Sequence, residues 1–405
     1  MITKKNRRRN LIISILSLSL LTVMAGAAVA PALHTISSYF SDASQAMTQM
    51  IISMPALFIV IMSFIFPKLC VRFKSKPLLL SGLLLYVLGG CLAGLFNRLW
   101  IVLIFRALVG IGVGIIMPLS TGLISFYYTR DKQDKLMGYS SAMNQMGGVV
   151  ATLLAGILSS ISWRLSFLVY LMGLLSIVLC LKFIPNEKIG LQSSKDEKLV
   201  DDEAGQEHEK GVFGKYNSFI VAMFLLMFTF FVYPAEFAIE TSKEGLIPQQ
   251  FIAVIMAGMD LIAFIGGLSF VHIKKYAGNA TKFISPVLFA LGYLLLWLMG
   301  GWVGTIVGSA LIGFANGLGV PFIISSASQQ AGKSAAVTIM PMLSMALYLG
   351  QFATPLILSV FTGLLEGASI NHMPYMIAFC SALLFGAWSI RIKTASAAKH
   401  QVRQE

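Results

Sequence analysis

Apolar runs long enough to cross a bilayer recur along the whole chain, and no other feature of the sequence restricts its fold as much. A run of about 20 apolar residues, rising about 1.5 Å per residue, spans the ~30 Å hydrocarbon core of a membrane. Within that core every backbone N–H and C=O must be satisfied internally, so runs of this length cross as helices. Composition agrees with this reading. Of the 405 residues 57% are hydrophobic and 12% charged, against about 25% charged in an ordinary soluble domain. With mean hydropathy at +0.81, the chain has too few charges to clothe a water-facing surface.

The pattern predicts twelve spans: 11–39, 45–70, 77–97, 99–128, 137–160, 164–184, 216–240, 249–272, 281–299, 302–327, 335–362 and 373–392. Lys4, Lys5 and Arg7 to Arg9 precede an apolar run ending Ala28-Val29-Ala30, which imitates a cleavable secretory signal. That run is longer than a signal core, however, and its helical pattern continues through Pro31 to Tyr39. It reads as the first span.

Orientation follows from the basic residues. With a cytoplasmic N-terminus and strict alternation, 26 of the 30 Lys and Arg fall on the cytoplasmic side. Arg98, Arg164 and Lys243 lie outside, and Arg106 lies within a span. This bias supports both the topology and the even span count, and predicts two cytoplasmic termini. Residues 185–215 form one long charged stretch that cannot insert, containing Lys195-Asp196-Glu197-Lys198 and Asp201-Asp202-Glu203. It divides the chain into an N-terminal unit (1–184), a cytoplasmic linker (185–215) and a C-terminal unit (216–405). The expected fold is therefore an all-α membrane protein, with twelve transmembrane helices in two six-helix bundles.

The net charge of +13 resides in short segments between apolar runs, so no nucleic-acid partner is expected. Cys70, Cys91, Cys180 and Cys380 are scattered, without metal or redox spacing. No G-x-x-x-x-G-K-(S/T) loop is present for ATP, and no His/Asp/Glu cluster has catalytic or metal-binding spacing. Neither an enzyme, a metal site nor a cofactor is expected.

The informative residues are those that a lipid-buried helix should not contain. An ionisable group at mid-membrane costs about 2.5–3.5 kcal/mol on the insertion scale, so it usually faces a cavity or a partner. Asp260 lies near the middle of span eight, as a proton or substrate site or as a hydrogen-bonded structural residue. Glu236 and Glu240 stand four apart in span seven and share a helix face just beyond Pro234. His34 in span one is a further titratable group. Asn144, Gln145 and Gln351 are deep enough to line a cavity or to bond between helices. Arg106 lies about seven residues inside span four, either functional or snorkelling to the outer interface. Phe228, Phe230, Phe231 and Tyr233, with Met340, Met342 and Met345, offer stacking and adaptable contacts. Gly110 with Gly114, Gly147 with Ala151, and Gly308 with Gly313 and Gly317 provide small faces for close helix approach.

Several motifs carry a resemblance. After span two, Leu69, Arg72 and Lys76 match G-x-L-x-D-R-x-G-R-(K/R), while Pro67, Val71 and Lys74 replace its Gly, Asp and second Gly. Arg106, Gly110 and Gly112 match R-x-x-x-G-x-G. Gly147, Ala151, Thr152, Ala155 and Gly156 stand in the frame of G-x-x-x-G-P-x-x-G-G, with Ala and Thr replacing the central Gly-Pro. Trp163, Arg164 and Phe167 match W-R-x-x-F at the start of span six, and Leu349, Gly350, Gln351, Phe352 and Pro355 resemble span eleven of bacterial exporters. With the six–loop–six plan, the chain resembles the major facilitator superfamily, especially its bacterial drug:proton antiporters. The resemblance implies alternating-access transport of a small molecule across the cell membrane of a bacterium, with protons as coupling ion, by a monomer. It also implies a role in proton coupling or bundle organisation for Arg106, and a cytoplasmic-gate role for Arg72 and Lys76. Uptake or exchange of a metabolite is the rival direction. A non-transporting sensor on the same fold would expect a signalling domain, and only a 31-residue linker and short tails lie outside the spans.

Overall fold

The computed structural model describes residues 4–128, 130–187, 207–364 and 371–392. Most of the expected linker and the basic C-terminal tail lie outside these residues. The described chain is helical throughout its apolar length and divides into two compact units, Met1–Glu203 and Ala204–Glu405.

In the first unit the helices are α1 (Lys4–Ala27), α2 (Leu33–Tyr39), α3 (Gln45–Arg72), α4 (Ser75–Ala93), α5 (Leu99–Tyr127), α6 (Arg130–Ser159), α7 (Trp163–Ser166) and α8 (Met172–Phe183). The first expected span is not one helix. It breaks after Ala27, makes a single 3-10 turn at Ala30–Ala32 with Pro31 in it, and resumes as α2. Pro31 lacks the N–H that an uninterrupted helix would use, which accounts for the break. The sixth span is likewise composite, with the 3-10 turn Phe167–Leu171 between α7 and α8.

The second unit holds α9 (Glu207–Glu244), α10 (Gln249–Ala277), α11 (Thr281–Leu298), α12 (Gly301–Leu364) and α13 (Met373–Ser389). Helix α9 starts nine residues ahead of the expected seventh span, running into what the sequence marked as linker. At 38 residues it is about 57 Å long, well beyond the hydrocarbon thickness, so its polar first turns extend past the core.

Spans ten and eleven appear as one helical element of 64 residues. Drawn straight, it would place Ser309 and Thr354 about 68 Å apart. Yet Tyr233 of α9 donates to Ser309 at 2.7 Å, and Thr354 lies 3.5 Å from the Phe228 carbonyl of the same helix. The contacts also change direction. Leu226 meets Gly319 and Tyr233 meets Ser309, so this arm runs antiparallel to α9. Phe224 meets Gly350 and Phe228 meets Thr354, so the later arm runs parallel. Helix α12 therefore doubles back between Gly319 and Gly350, and supplies two spans. The stretch Gln249–Leu298 also contains two spans, α10 and α11, and with the shorter apolar helix Met373–Ser389 the described residues supply twelve.

Close packing rests on small residues. Gly110 lies against the Pro55 backbone and Gly114 against Met62, bringing α5 onto α3. Gly147 lies against the Leu20 carbonyl, joining α6 to α1. At each of these a side chain would collide with a neighbouring helix. The carbonyl of Gly156, near the end of α6, accepts from the Ser159 hydroxyl at 3.0 Å and the Ser160 N–H at 3.3 Å.

Candidate functional site

Each unit carries a polar centre of its own. In the first, Arg106 is 0% exposed, so its guanidinium lies inside the bundle and not at an interface. Its Nε donates to the Ile51 carbonyl at 2.5 Å, one Nη to the Tyr170 hydroxyl, and the other Nη to the Ala25 carbonyl at 2.5 Å. Tyr170 in turn donates to Ala25 at 2.8 Å and packs edge-on against Tyr86, ring centroids 5.3 Å apart.

The reason these carbonyls accept lies in the backbone. Helical bonding would pair Ile51 C=O with the N–H of residue 55, which is proline and has none. Near the end of α1, Val29 N–H turns to Gly26, leaving Ala25 C=O without its usual partner. Arg106 and Tyr170 take up both freed acceptors. Gly110 stands one turn beyond Arg106 on the same face of α5 and lets that helix approach Pro55. The R-x-x-x-G spacing thus combines a close approach with a cation that serves the carbonyl freed there. The sequence reading did not identify the partners of Arg106; the proline four residues after Ile51 is the signal that locates one of them.

In the second unit the buried charges are acids. Glu236 and Glu240 lie on one face of α9, 2% and 6% exposed. Glu240 Oε1 pairs with Lys243 at 2.7 Å, and its Oε2 lies 3.1 Å from His372 Nδ1. The other ring nitrogen of His372 lies 3.1 Å from Glu244 Oε1. Glu240 is thus a partnered, buried group and not a hydrated rim residue. His372 caps the start of α13 in a left-handed conformation, φ 52°, uncommon for a residue with a side chain. Its ring faces that of Tyr375 at 6.0 Å. The Tyr375 side chain lies within electrostatic reach of Glu240 and Glu236. Asp260, half-buried on α10, lies within electrostatic reach of Tyr233. Tyr233 is stacked on Phe237 at 4.3 Å and hydrogen-bonded to Ser309. Nearby, Tyr293 donates to the Thr229 carbonyl at 2.5 Å, and the Thr229 and Ser381 hydroxyls bond at 2.5 Å.

The remaining candidates are dispersed. Asn144 on α6 accepts from Thr22 of α1 at 2.6 Å. Gln145 is half-buried one residue further along, and Gln351 is buried in the later arm of α12. His34 is half-buried on α2, with its carbonyl accepting from Ser38 at 3.1 Å. Arg72 is exposed at the end of α3, while Lys76 donates to the Leu181 carbonyl at 2.6 Å. Beside them Ser75 bonds the Glu187 carbonyl through both its N–H and its hydroxyl, each at 2.9 Å, and Tyr127 donates to the Glu187 carboxylate at 3.0 Å. The sequence reading missed Glu187, His372 and the buried tyrosines 86, 170, 293 and 375. Tyrosines inside apolar runs were the available signal, since a buried phenol needs a partner.

Twelve crossings, with charged and phenolic groups enclosed inside each helical unit, define a multi-pass helical membrane protein. The sequence matches the Major Facilitator Superfamily over residues 15–355, and the chain belongs to that family. It is 26% identical over 273 residues to multidrug resistance protein 3 of Bacillus subtilis, covering 62% of this chain and 50% of that protein. It is 22% identical over 267 residues to multidrug resistance protein 2 of the same organism, covering 64% and 66%. The chain thus spans about half to two thirds of the length of these two relatives. Its fold is similar to a bacterial homolog of the human lysosomal transporter Spinster, at TM-score 0.72, 16% identity and coverage of 95% and 96%. It is also similar to the nucleoside transporter NupG, at TM-score 0.71, 14% identity and coverage of 95% and 100%.

Proposed function

We propose that this transporter exports small amphipathic compounds in exchange for protons, by alternating access, as a monomer in the plasma membrane of a bacterium. Both termini face the cytoplasm, with the linker at 185–215 joining two six-helix domains. The observation that carries the coupling is the set of acids within apolar helices, Asp260 and Glu236 foremost. A carboxylate there is costly while charged, and binding and release of a proton switches that cost on and off. The multidrug relatives support an amphipathic substrate class.

The test uses the full chain in liposomes with an imposed pH gradient and ethidium as the probe. Wild type moves ethidium against the proton flow, and Asp260→Asn abolishes this movement while inserting normally. Gradient-driven movement at the wild-type rate in Asp260→Asn removes Asp260 from the mechanism. The second reading, uptake or exchange of a metabolite, is favoured by Ala151 and Thr152 standing where exporters carry Gly-Pro. The direction of flux in the same vesicles separates the two.

A further inference from the structure

Helix α4 begins without a cap of its own. The first N–H groups of a helix have no partner within it, and Lys74, which precedes α4, offers no side-chain acceptor. The N–H of Ser75 is served instead by a residue 112 positions further along the chain. The Glu187 carbonyl accepts both this N–H and the Ser75 hydroxyl, each at 2.9 Å, and Ser75 is buried. Glu187 arrives there for a local reason. Pro185 disfavours helical geometry in the residue before it, and Ile184 is extended, with ψ 124°. Helix α8 therefore stops at Phe183, and the chain turns across the start of α4.

The crossing is fastened at both ends. At the near end Ile184 is buried, and Lys76 donates to the Leu181 carbonyl of α8 at 2.6 Å. At the far end the Glu187 carboxylate accepts from the Tyr127 hydroxyl, on the last residue of α5, at 3.0 Å. We propose that residues 184–187 are a strap joining α8, α4 and α5, through which displacement of the linker is transmitted to the start of α4. Drawing Glu187 outward takes the cap from α4 and the partner from Tyr127 in one movement. The segment affected is the α3–α4 connection, with Arg72 at the end of α3 and Lys76 in the first turn of α4. The inference goes beyond the transport reading and does not depend on it.

The two holds of the strap differ. On α4 two donors of one buried residue share the Glu187 carbonyl. On α5 a single phenol meets an exposed carboxylate, whose loss water readily makes good. The Tyr127 side is therefore the one that opens first. Coupling between two sites is reciprocal. A change on α5 that frees the Glu187 side chain must loosen the start of α4, a different helix, and loosening Ser75 must free the linker. A residue that only packs locally has no such reach.

Limited trypsin digestion of the full chain in detergent reads the linker side. Lys188 follows Glu187 directly, and Lys198 lies further into the linker. Cleavage after Lys188, scaled to cleavage after Lys198 in the same sample, reports release of the strap, because cleavage tracks the open population when reclosing is fast. Hydrogen exchange over residues 75–79 reads the α4 side. Tyr127→Phe and Ser75→Ala are each expected to raise the cleavage ratio by about fivefold, the scale of one net hydrogen bond. Exchange over residues 75–79 is expected to quicken by a similar factor, while α9 and α10 keep wild-type exchange. Glu187→Ala alters the bond that trypsin reads, so it is followed by exchange alone, with the same acceleration expected. Glu187 is exposed, so this arm does not depend on the folding of the other two variants. A wild-type cleavage ratio in Tyr127→Phe and Ser75→Ala, or exchange over residues 75–79 unchanged in Glu187→Ala, overturns the strap.

Discussion

The two units share a packing scheme and differ in what they bury. In the first, α5 rests on α3 through Gly110 and Gly114, and meets Gly82 of α4 through Gly112. In the second, the first arm of α12 rests on α10 through Gly313 and Gly317, and meets Gly292 of α11 through Gly308. Both central helices carry a glycine pair four apart against one neighbour and a reciprocal glycine contact against the other. Four residues before the first glycine of each pair stands the polar residue of that helix: Arg106 in one unit and Ser309 in the other. Arg106 gathers two carbonyls and a phenol, whereas Ser309 meets the phenol of Tyr233. The partners decide the consequence. Backbone carbonyls do not titrate, so the N-terminal centre is a fixed clamp on three crossings of its bundle. What the C-terminal centre has and the first lacks is carboxylates and an imidazole, side-chain types able to exchange protons. The repeat supplies the frame, and the side chains divide the labour.

The largest expected effect tests the clamp. Arg106→Met leaves the Ile51 carbonyl without its side-chain donor, while Ala25 keeps the Tyr170 hydroxyl. One unsatisfied group costs about 1–3 kcal/mol, and the lost charge-assisted bonds to Ala25 and Tyr170 add to it, so a loss of roughly 2–5 kcal/mol in unfolding free energy is expected. Denaturant titration in detergent gives the total. Hydrogen exchange locates it, with α1 and α3 opening faster while α9 and α10 keep wild-type protection. A loss under about 1 kcal/mol, or one spread evenly over both units, ends the distinction between a fixed and a titratable centre.

Much of this frame was legible in the sequence because its causes are local. Apolar length gave the twelve crossings, and the glycine spacing of α5 and α12 gave the close approaches. Arg106, Glu236, Glu240 and Asp260 stood out because hydrocarbon excludes charge. The rest depends on which helices become neighbours. His372 lies in a short connection between apolar runs, where a histidine carries no signal until Glu240 and Glu244 are placed against it. Spans ten and eleven form one helical element although Pro321, Pro341 and Pro355 lie inside it. Pro31, by contrast, did interrupt the first span where the apolar pattern ran on.

A smaller effect tests whether the glycine scheme is the same in both units. Gly110→Leu and Gly313→Leu each force a side chain into the facing backbone, of Pro55 in one case and Met259 in the other. Overpacking of this kind costs about 1–3 kcal/mol, and the two losses are expected to agree within about 1 kcal/mol when measured by thermal unfolding in detergent. A severe loss at Gly110 beside a neutral Gly313 means that only α5 depends on close approach. The repeat is then one of topology without shared packing.

The smallest effect bears on the polar position itself. Ser309→Ala removes the acceptor of the Tyr233 hydroxyl, and Tyr233→Phe removes the donor. Hydrogen bonds between helices of membrane proteins are worth about 0.6 kcal/mol on average, so a double-mutant cycle on this pair is expected to return a coupling of that size. That is several-fold below the cost at Arg106. The difference is physical: a neutral hydroxyl pair is replaced at little cost by two apolar groups of similar shape, whereas a guanidinium serving three acceptors has no apolar substitute. A coupling as large as the Arg106 effect gives Ser309 a clamp role equal to that of Arg106. The C-terminal centre then has a fixed core of its own beside Asp260 and Glu236.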